Sequence, residues 1–458
     1  MRIVIIGGSH AGIAAARHLK KVDPKVDVII IEKSSVLGYV ASSLNLVLEG
    51  YIQRLEDSKT ATASELLSEG INVMLNSEVT KIFPQEQTVH FVTSTESYQQ
   101  EDEVSYDGLI LAMGSSTFRS EFASDVEAHI TTYKTIGQSK QALEKIENAQ
   151  TVAIVGAGLI GFELAESLSG QQKAVHLIDR MDTLLFRYFD HEIAKILMER
   201  FPKNLQIYLN SNVAHTIKNE KGDYQGIELS NGTKIQADVV VYAVNPRPNV
   251  ALVEDFLKLN LDGTVSTNEY LQTSDPAIYA IGDLVSIPFN HSDSSLYIPL
   301  VTNAYRTGIV AATNLLANER GTTKIPFPKM QRTVVSKLFG YFVSSSGINE
   351  TEAPYYGFEV DSVTQTFHSR TFFATDEDFE VTLKLIFDQQ TKVIMGGQII
   401  TSDRGSLEII NTISTLINSK TTLHQLATMD YFFNPTISFP LHFLNQLAIE
   451  GLLKSHVN

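Results

Sequence analysis

Arg2-Ile3-Val4-Ile5-Ile6-Gly7-Gly8-Ser9-His10-Ala11-Gly12, near the start of the chain, is the stretch whose reading decides the fold. Its run of branched apolar residues predicts a buried strand, and the glycines mark a sharp turn into an Ala-rich helix. A second apolar run, Val28 to Ile31, ends at Glu32. The same order returns at Val152 to Val155, followed by Gly156-Ala157-Gly158-Leu159-Ile160-Gly161, a helix, and Val175 to Ile178 ending at Asp179. Both blocks read strand, glycine turn, helix, strand, carboxylate.

Each residue type answers a physical need. The first glycine permits the tight turn, the second lets the backbone approach a pyrophosphate, and the third allows close packing of helix on strand. The helix N-terminus then offers free N–H groups and a favourable dipole to the phosphates. A carboxylate at the next strand end can accept hydrogen bonds from ribose hydroxyls. In the first block Ser9 stands in the second glycine's place. A glycine turn also arises from packing alone, so either block by itself leaves both readings open. Two complete blocks predict two dinucleotides, which suit one reaction: a resident flavin, FAD, and a visiting nicotinamide. Asp179 repels a 2′-phosphate and favours NADH, while Arg180 beside it leaves NADPH open.

At 458 residues the chain predicts two or three domains. A hydrophobic content of 43% and a charged content of 19% are those of a globular protein. The formal charge of −16, from 36 basic and 52 acidic residues, argues against nucleic acid or an anionic membrane as partner. Apolar runs such as Val239 to Val244 are too short to span a bilayer. The N-terminus enters a strand by Ile3 without a charged-then-apolar leader, so the expected location is cytoplasmic. There is no cysteine, which excludes disulfides, thiolate nucleophiles and iron–sulfur clusters. The twelve histidines show no metal-ligand spacing, and no metal site is expected.

Two further segments stand out. Tyr106-Asp107-Gly108-Leu109-Ile110-Leu111-Ala112-Met113-Gly114 reads as a buried strand ending in a small-residue turn. Ala277-Ile278-Tyr279-Ala280-Ile281-Gly282-Asp283 reads as another, whose Asp is either a plain strand-end residue or an acceptor for a ribityl chain. In this order the motifs resemble the pyridine nucleotide–disulfide oxidoreductases, in particular the branch of NADH oxidases, NADH peroxidases and coenzyme A disulfide reductases. The first block resembles that branch's G-x-S-H-x-G start, Ala112-Met113-Gly114 its A-T-G turn, and Ile281-Gly282-Asp283 its flavin signature. Arg247-Pro248-Asn249, Ser346-Gly347-Ile348-Asn349-Glu350 and Asp430-Tyr431-Phe432-Phe433-Asn434-Pro435 are similar to three later segments of the branch.

The resemblance implies FAD along Gly7, Ser9, Gly12, Glu32, Lys33, Val79, Ala112, Gly114 and Asp283. It implies NADH along Gly156, Gly158, Ile160, Gly161, Glu163, Asp179 and Tyr188. It also implies a homodimer, with Phe432 and Phe433 either approaching the partner subunit's flavin or forming interface core. The expected architecture is α/β: two Rossmann-like three-layer dinucleotide-binding domains and a C-terminal α+β dimerisation domain. Residues 1–115 and 250–326 would form the FAD domain, 116–249 the NAD domain, and 327–458 the interface domain. Within the last, Phe379 to Phe387 alternates, Val393 to Ile400 is strand-like and Leu407 to Ile417 has helical spacing.

The branch carries a redox cysteine in an S-C-G segment. Here that stretch is Ala41-Ser42-Ser43, with Ser42 at the cysteine's place. Three neighbouring positions differ, so a single introduced change does not account for it. A serine hydroxyl cannot cycle through a sulfenic acid or disulfide. Hydride transfer from nicotinamide to flavin needs only alignment and survives. The reduced flavin would then give its electrons to O2, with hydrogen peroxide as product. Two other readings stay open: a reductase passing electrons to a small redox protein or quinone, and a non-catalytic flavoprotein acting as a redox sensor or binding module.

The candidate catalytic residues are His10, Ser42 and Glu163. His10 would hydrogen-bond Ser42, donate a proton during flavin reoxidation, or simply pack near the flavin. Glu163 would position the nicotinamide or flavin, or be a first-turn glutamate serving the helix dipole. Leu159, where relatives often have a Tyr lid, still serves for packing, and Asn245 replaces a usual glycine before Arg247-Pro248-Asn249.

Overall fold

The computed structural model describes residues 1–95, 97–117, 127–244, 246–371 and 373–457. Runs of branched residues without polar alternation suit strands covered on both faces, and that is where they fall. Arg2–Ile6 is the central strand of a five-stranded parallel sheet, flanked by Asp27–Ile31 and then Ile71–Met74 on one side. Gly108–Leu111 and then Ile278–Ala280 complete the other side. A three-stranded antiparallel sheet, Ser77–Phe83, Thr88–Ser94 and Gln99–Ser105, is attached to it in sequence.

The middle of the chain repeats the plan. Thr151–Val155 is central, with Ala174–Ile178 and Leu205–Tyr208 on one side and Val239–Tyr242 and Ile130–Thr131 on the other, all parallel. In both sheets the glycine turn and its helix follow the central strand, the point at which the strand order reverses. The chain enters and leaves this middle unit through one short ribbon, in which Ser115–Thr117 pairs antiparallel with Pro246–Pro248.

The C-terminal third is a five-stranded antiparallel sheet in the order Val334–Leu338, Tyr341–Gly347, Ile394–Thr401, Glu380–Asp388, Val360–His368. Helices Ile409–Asn418, Leu423–Ala427 and Phe443–Val457 pack on it around a core that includes Leu383, Leu385 and Ile413. The expected alternation in 380–388 does not appear as burial: the strand is covered on both faces. The face opposite the helices lies against the middle unit, where Lys384 meets Asp190 and Glu192 at 2.9 Å instead of solvent. Leu338, Val343 and Ile400 join the core of the middle unit for the same reason. Among the described residues no helix is long and apolar enough to cross a membrane.

Candidate functional site

The two glycine turns are built alike. Gly7 has φ +110°, and a Cβ there would lie 2.3 Å from the Ala112 carbonyl oxygen. Gly156 has φ +111°, and a Cβ there would lie 2.7 Å from that of Ala243. At the third glycines the helix presses on its own turn: a Cβ on Gly12 would sit 2.0 Å from the Gly7 oxygen, and one on Gly161 1.9 Å from the Gly156 oxygen. The middle positions differ in kind, because Ser9 is exposed and nothing lies within 4 Å of a Cβ on Gly158. Packing thus requires the outer glycines, and the space left open is at the position that would face a pyrophosphate.

The acids close the turns. Glu32 accepts hydrogen bonds from the amides of Gly8 at 2.6 Å and Ser34 at 2.7 Å. Asp179 accepts from Ala157 at 2.6 Å and Met181 at 2.8 Å. Each carboxylate is thereby fixed at the mouth of its own turn with lone pairs to spare. The helices that follow, His10–Val22 and Leu159–Gly170, begin without a side-chain cap or a first-turn acid. Helices starting at Ala63, Ile136 and Leu423 all carry capping boxes. Uncapped first turns leave their N–H groups and positive dipole end for a ligand.

Asp283 follows the edge strand of the N-terminal sheet and is half-buried. It accepts hydrogen bonds from Ser115 Oγ at 2.6 Å and from Lys134 Nζ at 2.9 Å. Nothing in the sequence marks Lys134, which also reaches Ser115: it lies in an unremarkable Thr-Tyr-Lys-Thr run and acquires its place only by pairing across 149 positions. The buried hydroxyl of Tyr297 is near this group, pushed to a higher pKa by burial first and by the Asp283 charge second.

His10 starts its helix and its ring lies 5.8 Å from that of Tyr305. Burial lowers its pKa and Asp283 partly opposes that shift. Its Nδ1 is buried without a partner among the described residues, and no hydrogen bond joins it to Ser42, so that first option for His10 is not realised. Ser42 is exposed at the start of the short helix Ser43–Leu48 and makes no side-chain cap.

Other expected residues fall as follows. Val79 is buried at a bulge in the strand Ser77–Phe83, and Lys33 is exposed. Gly114, at φ +66°, is free of close neighbours, and Asn249 binds the carbonyls of Gly114 at 3.0 Å and Met113 at 2.8 Å. Ile160 is 56% exposed directly after the second glycine turn, an apolar side chain left open where a ligand would cover it. Leu159 packs against the middle core, and Asn245 lies outside the described residues. Tyr188 is half-buried with its ring 5.6 Å from the Arg332 guanidinium carbon.

Glu163 is not a solvent-facing first-turn residue. It accepts a hydrogen bond from Ser336 Oγ of the C-terminal sheet at 2.5 Å, and burial raises its pKa. Among the described residues no group of three or more His, Cys, Asp or Glu is placed to hold a metal ion.

Comparison with known proteins extends the picture. Residues 1–308 match the profile of the pyridine nucleotide-disulphide oxidoreductases, and residues 323–442 that of the dimerisation domain of the same name. The NADH oxidase of Enterococcus faecalis V583 is 29% identical over 454 residues, spanning 99% of both chains. A water-forming NADH oxidase from Lactobacillus brevis, solved bound to NADH, superposes with a TM-score of 0.90 at 26% identity over 100% of both chains. A pyridine nucleotide-disulfide family oxidoreductase from Enterococcus faecalis V583 gives 0.85 at 30% identity, again over 100% of both.

Proposed function

The chain belongs to the pyridine nucleotide-disulphide oxidoreductase family, and from that premise we propose that it is an FAD-dependent NADH oxidase that reduces O2 to hydrogen peroxide. The observation that carries the reading is the pair of glycine turns, each closed by its own carboxylate, in a chain without cysteine. NADH oxidases aligned over almost the full length support the same activity. Residues 1–115 and 250–326 would hold FAD, 116–249 the nicotinamide dinucleotide, and 327–458 would pair two copies of the chain. The ribbon joining 115–117 to 246–248 supports that division.

The residues fit an FAD laid from the first turn to Asp283. Gly7, Ser9 and Gly12 would admit its pyrophosphate, Glu32 and Lys33 would face the adenosine ribose, and Val79 would wall the adenine end. Ala112 and Gly114 would pass beneath the chain toward Asp283, which Ser115 and Lys134 hold in a fixed rotamer. When bound, FAD supplies an isoalloxazine that takes hydride from NADH and passes two electrons on. Gly156, Gly158 and Gly161 would take the NADH pyrophosphate. Asp179 would bind its ribose and disfavour a 2′-phosphate by charge. Ile160, Glu163 and Tyr188 would line the nicotinamide end.

Ser42 has no redox chemistry of its own, so both electrons leave to a diffusible acceptor. The balanced reaction is NADH + H⁺ + O2 → NAD⁺ + H2O2. The test is peroxide formed per NADH consumed in air, with catalase as control. One peroxide per NADH is expected, and water as sole product would overturn the product assignment.

A further inference from the structure

The loop from Asp179 to Asp190 carries two residues assigned above to NADH, Asp179 and Tyr188. On its inner side it is tied to the second glycine turn, Leu185 N donating to the Ala157 carbonyl at 3.3 Å. Leu185 has φ 54°, a left-handed conformation that a non-glycine residue keeps only where its surroundings hold it. The holding groups on the outer side come from the C-terminal region.

Asn349, 2% exposed, donates from Nδ2 to the Phe186 carbonyl at 2.7 Å and accepts from the Glu352 amide at 2.7 Å. At the loop's end Gln398 clasps Asp190 twice, accepting from its amide at 2.9 Å and donating to its carboxylate at 2.7 Å. The Glu350 amide donates to the same carboxylate at 3.1 Å. Arg332, ion-paired to Glu352, has its guanidinium carbon 5.6 Å from both the Tyr188 and Phe289 rings. The segment Ser346 to Glu350 thus braces a loop of the middle unit from across the molecule.

We infer that Asn349 and Arg332 are positioning residues for NADH, fixing from the C-terminal region the loop that presents Asp179 and Tyr188. The inference rests on the assignment of those two residues to NADH. Asn349 touches neither the glycine turns nor Asp283. Its loss therefore loosens the nucleotide-facing loop and leaves the flavin end as it is.

The test separates the two half-reactions in Asn349→Ala and in Arg332→Lys, which keeps the charge but not the paired hydrogen bonds to Glu352. Anaerobic bleaching of the flavin by NADH gives Kd, and mixing dithionite-reduced protein with O2 gives reoxidation. Kd and KM for NADH should rise at least about fivefold, the order of a single buried hydrogen bond, since Asn349→Ala removes two and Arg332→Lys disrupts a charged pair, with reoxidation unchanged. An unchanged Kd in both variants would overturn the inference, as would equal losses in both half-reactions. Failure of NADH to bleach the unsubstituted protein would instead remove the functional reading beneath it.

Discussion

His10 is held between two opposing influences, burial lowering its pKa below 6.5 and the Asp283 charge raising it. Its proton therefore arrives only on the acid side of 6.5, and any acid role in reoxidation grows as pH falls. Reoxidation of the reduced flavin by O2 should accelerate below pH 6.5 in the natural protein. In His10→Gln it should be slower by about a hundredfold, the lower end of general acid–base effects, and without that rise. Rapid mixing measures both, and an unchanged rate would reduce His10 to packing. At this scale the sequence was legible where a residue acts on its near neighbours. Gly7, Gly12 and Glu32 serve one turn, and their types announce it. Lys134 is not legible because its partner is 149 positions away, and the burial of Glu163 is not because Ser336, 173 positions away, reaches it.

The helix Leu159–Gly170 has two faces with different work. Its N-terminus opens on the second glycine turn, while its far side meets the strand Val334–Leu338 of the C-terminal sheet. There Glu166 is pushed up to about 7 by burial, with Glu49 and Glu163 adding to the shift and the Phe339 amide and Lys337 opposing it. A carboxyl whose folded pKa exceeds its unfolded one costs stability as pH rises from its ordinary value toward the folded one. Glu166→Gln should therefore match the natural protein below about pH 4 and melt several degrees higher at pH 8. Thermal scans at the two values check this, and equal differences at both would remove the cause. The strand 380–388 shows what local pattern misses at this scale. Residue types give a strand, but its second covered face is set by Asp190 and Glu192 from another unit.

At the scale of the molecule, Phe432, Phe433 and Ile437 are 70%, 55% and 67% exposed in a single chain. They fall within the stretch matching the dimerisation domain. Two copies are the expected solution state, and Phe432→Asp with Phe433→Asp should shift it toward one copy, as light scattering would show. A single copy for the unsubstituted chain would contradict the pairing. Two parallel sheets were legible because the glycine blocks recur in sequence, and the α+β end because Val393 to Ile400 is strand-like and Leu407 to Ile417 has helical spacing. The contacts that lock the third unit onto the second were not, since charge pairs buried between units leave no period. The ribbon of 115–117 against 246–248 has a consequence of its own. Departure and return sit side by side, so the chain tethers the span between them to the first unit through a single pair of strands. Exchanging that span would call for matching changes on the C-terminal sheet, where Ser336 grips Glu163 and Gln398 and Lys384 grip Asp190.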